Sequence, residues 1–138
     1  MMIGKSLALS ALLTVLAASA AVAVDEGNTK PKLDSAYVNW SVSSADAINQ
    51  TSVAGNIKGV SCHFDATTAS GGWGSVVFTV NGGTAQTITV YAYDYQADSS
   101  GNVWTGWIPM NIRFSSSIRV QVQRGSGQLA CTVSWALD

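Results

Sequence analysis

Two stretches near the C-terminal end alternate almost without a break. SIRVQVQR sets Ile118, Val120 and Val122 on one side of an extended chain and Arg119, Gln121 and Gln123 on the other. QLACTVSWAL sets Leu129, Cys131, Val133, Trp135 and Leu137 against Ala130, Thr132 and Ser134. Successive side chains of a strand point to opposite faces, so each stretch predicts a strand with one dry and one wet side. The same period starts at Gly55: Val60, Cys62 and Phe64 share a face, as do Val76, Phe78 and Val80 in GSVVFTV. The mature chain shows no helix-length run at the 3.6-residue period. These patterns predict an all-β fold, an antiparallel β-sandwich of immunoglobulin-like or jelly-roll-like form with about seven to eight strands.

The start of the chain reads differently. Lys5 is followed by the apolar run LALSALLTVL and by Ala21-Val22-Ala23, the order of a charged, an apolar and a small-residue region in a secretory leader. Residues 1–23 are expected to be a signal peptide cleaved after Ala23, the alternative being an uncleaved membrane anchor. VDEGNTKPKLDS (24–35) is polar and aperiodic and reads as a flexible arm, which leaves 36–138 for the sandwich. AYVNWSVS begins the first strand, and SSADAINQTSVAG reads as one helical turn capped by Ser44. Asn81-Gly82-Gly83 is a tight-turn signal, because both central residues of a type I′ turn need positive φ.

Export favours a disulfide between the two cysteines, Cys62 and Cys131, although two buried thiols would show the same pattern. Both sit on inward faces of their strands, so the bond is expected to cross the core from sheet to sheet. Cys62, Trp73 and Cys131 resemble the cysteine, tryptophan, cysteine spacing of immunoglobulin domains. The chain departs from that family where Trp73 sits in the glycine loop GGWG and where Leu129 stands in place of the corner tyrosine. The resemblance therefore implies architecture alone.

Charged residues make up 11% of the chain, against about 25% in an average soluble domain. Clustered Lys and Arg, the footprint of nucleic-acid binding or of an anionic membrane, are missing, so neither partner is expected. A neutral surface rich in Ser, Thr and Gln suits recognition by shape and hydrogen bonds, in a secreted or periplasmic setting.

Catalytic constellations are thin. His63 is the single histidine and Glu26 the single glutamate. His63 and Asp65 share a strand face, but no sharp strand-to-helix turn offers a serine nucleophile. Zinc would need a third protein ligand, and DYQADSSGN, with Asp94, Asp98 and Asn102, lacks the alternating ladder of a calcium loop. No two aspartates stand out as a glycosidase dyad. The sequence points to no cofactor, no metal and no catalysis. Asn39-Trp40-Ser41 and Asn49-Gln50-Thr51 fit the N-glycosylation pattern.

Two surfaces remain. One is the wet face with Arg119, Gln121 and Gln123, expected beside Thr132 and Ser134 of a hairpin partner. The other is YAYDYQADSSGNVWTGW, which holds five of the twelve large aromatics. A turn over Asp98 to Gly101 would pair Ala97 with Asn102, Tyr95 with Trp104, Tyr93 with Gly106 and Tyr91 with Ile108. Tyr91, Tyr93, Tyr95 and Trp104 would then form one aromatic face as a ligand-binding site, with Trp107 on the core side. The sequence therefore predicts a binding or adhesion module that takes a glycan or protein surface on this hairpin. Self-association as a structural subunit of an extracellular assembly is the alternative, and a small secreted hydrolase the third.

Overall fold

A computed structural model describes residues 31–68 and 70–138. The proposed leader and residues 24–30 of the arm lie outside the described residues. Nine strands follow: β1 (Lys32–Val38), β2 (Ser44–Thr51), β3 (Gly55–Phe64), β4 (Trp73–Val80), β5 (Gln86–Tyr91), β6 (Val103–Trp104), β7 (Ile108–Phe114), β8 (Ser117–Ser126) and β9 (Leu129–Leu137). They form two antiparallel sheets. The first runs β1-β9-β3-β6, with β7 also on β3, and the second runs β2-β8-β4-β5. No helix among the described residues is long and apolar enough to cross a membrane.

The alternating stretches face inward as their period requires. Val60, Cys62, Phe64, Val76, Phe78, Val120, Val122, Leu129, Cys131 and Val133 are buried and pack into one core between the sheets. Trp135 joins them at 3% exposure and donates its indole N–H to Asp34 Oδ2 at 2.7 Å, which satisfies its one polar atom. The turn after β4 is the expected one. Asn81 and Gly82 hold φ of 53° and 68°, and Gly83 N–H donates to the Val80 carbonyl at 2.9 Å. Asn81 Oδ1 also accepts the backbone N–H of Ser115 and Ser116 at 2.8 and 2.9 Å, tying this turn to the one between β7 and β8.

The structure corrects several local readings. Strand β1 starts at Lys32, inside the stretch read as arm, because Ala36 and Val38 bury against the core and carry the preceding residues into the ladder with β9. The chain then turns at Asn39, whose Oδ1 accepts from the N–H of Ser41 and Val42. Residues 44–51 are strand, not a helical turn. A bulge between Asp46 and Ile48 breaks their alternation and hid it.

The disulfide forms, but within a sheet. Cys62 and Cys131 are direct partners on the adjacent strands β3 and β9, with Cα atoms 4.1 Å apart. Cys62 turns its backbone the other way: its N–H donates to Thr105 Oγ1 and its carbonyl accepts from Thr105 N–H. The pair with Cys131 is thus a non-hydrogen-bonded one, the kind that brings side chains closest.

Candidate functional site

The predicted hairpin does not form. After Tyr91 the chain leaves the second sheet through a 3-10 turn at Ala92–Asp94, closed by Tyr95 N–H on the Ala92 carbonyl at 3.2 Å. The turn at Asp98 is present: its Oδ1 accepts the N–H of Ser100 and Asn102, and Gly101 holds φ of 84°. It is one residue longer than expected, since Ala97 bridges to Val103 and not to Asn102. Trp104 then pairs with His63 in the first sheet. The segment is a crossing between sheets, so its aromatics divide between two surfaces.

Tyr91 and Tyr93 stay with the second sheet. Trp73 and Tyr91 are cross-strand partners with ring centroids 6.1 Å apart, and Tyr91 meets Tyr93 at 5.1 Å. Trp73 lies over Gly125, where any Cβ would run into the indole. Tyr95 is half-buried against the core and, with Tyr93, lines a cleft of about 320 Å³. Of the four predicted site residues, Tyr91 and Tyr93 are in contact; Trp104 belongs elsewhere.

Trp104 stands on the outer face of the first sheet. Strand register aligns Tyr37, Ala130, His63 and Trp104 in one row across β1, β9, β3 and β6. Three strand spacings separate Tyr37 from Trp104, or roughly 14 Å. Trp104 stacks on His63 with centroids 4.0 Å apart. The next row is Ser35, Thr132 and Ser61, with Ser35 Oγ and Thr132 Oγ1 2.7 Å apart. The third is Leu33, Ser134 and Gly59. Trp107, expected in the core, is 55% exposed and lies over Gly59, its Cε3 3.6 Å from where a Cβ on that glycine would stand. Gly106, at φ of 66°, lies between β6 and β7, which run in the same direction along one edge of β3.

This face therefore has a floor of hydroxyls and small residues between large exposed side chains: Leu33, Tyr37, Trp104 and Trp107 are all at least 49% exposed. Tyr37 donates its hydroxyl to Gln128 Oε1, which holds that ring in place. Leu33, Tyr37 and Trp107 were missed as site residues. The alternation of Leu33, Ser35 and Tyr37 in KLDSAYV was the signal available for the first two.

The polar face of β8 also has different neighbours from those expected. Strand β9 lies in the other sheet, so Thr132 and Ser134 are not beside Gln121; Asp46 and Val77 are. Asp46 accepts from Arg119 Nε at 3.0 Å and from Gln121 Nε2 at 3.2 Å, which ties up the charged end of that face within the protein.

Asp65 is committed to its own loop. Hydrogen bonds from Thr67, and secondarily from Thr68, hold its carboxyl below its ordinary value of 3.8 against a smaller opposing effect of burial. It accepts the Thr67 hydroxyl at 2.6 Å and the Thr68 hydroxyl at 3.1 Å. His63, two residues earlier, lies beneath Trp104, with its buried Nε2 lacking a hydrogen-bond partner among the described residues. The expected shared face of His63 and Asp65 does not make a dyad. Among the described residues no group of three or more His, Cys, Asp or Glu is placed to hold a metal. The chain matches no protein-family model, and no curated protein is similar to it in sequence.

Proposed function

We propose that this protein is a non-catalytic, secreted or periplasmic binding module that takes a neutral glycan on the outer face of its first sheet. One observation carries the reading: Tyr37, Trp104 and Trp107 stand exposed around a floor of Ser35, Ser61, Thr132 and Ser134. Indole and phenol rings accept the apolar C–H faces of sugar rings, and hydroxyls between them exchange hydrogen bonds with sugar hydroxyls. A chain of sugars is also long and flat enough to lie across several strands. The low charge of the chain supports a neutral ligand over a phosphorylated or sulfated one. The disulfide supports an oxidising compartment.

The test is retention on a panel of immobilised neutral polysaccharides and on a glycan array, with wild type, Trp104→Ala, Trp107→Ala and Trp73→Ala. Both first-sheet variants should bind about five- to thirtyfold more weakly, from loss of a stacked ring worth about 1–2 kcal/mol. Trp73→Ala, on the other sheet, should bind as wild type. Retention of no glycan, or equal loss in all three variants, sinks the reading; retention of a protein partner in place of glycan does so too.

A further inference from the structure

The two sheets leave their edges differently protected. Edge strands expose unpaired backbone donors and acceptors, and proteins blunt them with charge, proline, bulges or shortness. Strand β1 carries Lys32 and Asp34 and packs beside β2, which has a bulge and Asp46. On the opposite edge of the first sheet β6 is two residues long, and β7 contains Pro109 and Arg113 and meets a bulge in β3. Strand β5, QTITVY, has none of these devices. Among the described residues it is paired with β4 alone.

Its hydrogen bonding can be resolved residue by residue. Ala92 N–H donates to the Gly72 carbonyl, which makes that a hydrogen-bonded pair. Antiparallel pairs alternate, so Val90 and Ile88 also bond inward to β4, whereas Tyr91, Thr89 and Thr87 occupy the non-bonded positions. The N–H and C=O groups of Thr87, Thr89 and Tyr91 therefore point to the open side of the sheet. Thr87 and Thr89 are exposed.

We propose that β5 is a self-association edge, on which a second copy of this chain adds its own β5 antiparallel about a two-fold axis at Thr89. That register uses every free backbone group: Thr89 bonds Thr89 of the second copy, and Thr87 bonds its Tyr91. On the inner side half-buried Ile88 meets Val90 of the second copy, so the apolar layer continues across the seam. On the outer side Tyr91, already stacked on Trp73, lies against Thr87. No charge faces a like charge, since β5 has none. A two-fold axis is the closed solution for identical edges and ends growth at a dimer. The proposal is independent of the glycan face, which lies on the other sheet.

Sedimentation velocity over a wide concentration range tests it, using protein expressed from the full sequence. Wild type should show a concentration-dependent monomer–dimer equilibrium. Thr89→Pro removes a donor that makes no bond within the monomer, so it should weaken the dimer about thirtyfold, from two backbone bonds lost at the axis. Its glycan retention should stay that of wild type, and its melting midpoint should stay close to wild type at concentrations where both are monomeric. Thr89→Lys, which sets two cations face to face at the axis, should also shift the equilibrium to monomer. Trp104→Ala should leave it unchanged. A wild type that stays monomeric at the highest concentration overturns the proposal, as does a dimer that survives both Thr89 substitutions. Open-ended growth into fibres would overturn the two-fold geometry.

Discussion

Replacing Cys62 and Cys131 together by alanine removes a cross-link from the centre of the first sheet. The two residues are 69 apart in sequence, and opening a loop of that length returns about 4 kcal/mol of chain entropy to the unfolded state. Both half-cystines are also buried, at 0% and 1% exposure. Losing two buried sulfurs, each comparable to a methylene, costs a further ~1–2 kcal/mol. The total, about 5–6 kcal/mol, is a large fraction of what a single domain has, and at about 4 °C per kcal/mol it lowers the melting midpoint by roughly 20 °C. Urea unfolding followed by tryptophan fluorescence measures it. Because the larger part acts on the unfolded chain, the denaturant slope should also rise as that chain becomes free to expand. A loss below about 2 kcal/mol with an unchanged slope would refute the entropic account. The long β3 and β9 ladder would then be doing the holding without the bond.

Asn81→Ala forfeits the acceptor for Ser115 and Ser116 N–H and forces alanine to φ of 53°. It should cost about 2 kcal/mol in urea unfolding, and Asn81→Gly, which keeps the backbone conformation, about half of that. Asp65 has its carboxyl held below 3.8 in the folded state, so its stabilising effect is complete above that value and fades as pH falls below it. Melting midpoints measured from pH 5 to pH 2 should therefore fall less steeply for Asp65→Asn than for wild type; parallel curves would remove Asp65 from the acid transition. The losses expected for Trp104→Ala in glycan retention and for Thr89→Pro in dimerisation complete the set.

The period of two was legible wherever one face of a strand is dry, because burial then dictates every second residue. Val60, Cys62 and Phe64, or Leu129, Cys131 and Val133, could be assigned to the core on that ground. Turn chemistry was legible at Asn81-Gly82 and at Asp98, because positive φ and side-chain acceptors are local demands. A bulge defeated the pattern at Asp46 to Ile48, where one extra residue changes the phase.

Which strands neighbour one another was decided only in three dimensions. Hairpin reasoning assumes that consecutive strands pair, yet here β4 and β5 do so while β8 and β9 lie in different sheets. Tyr91 and Trp104 were separated for the same reason: the buried Ala92 and the 3-10 turn carry the chain out of one sheet before Trp104 pairs in the other. By itself the sequence determined two-faced strands, their inward residues and the tight turns, all of which follow from local sterics and the cost of wetting apolar side chains. The tertiary structure decided the sheet order, the partner of each cysteine and the company of each aromatic. Those depend on pairings between residues as distant as Tyr37 and Ala130, which no short window of sequence contains.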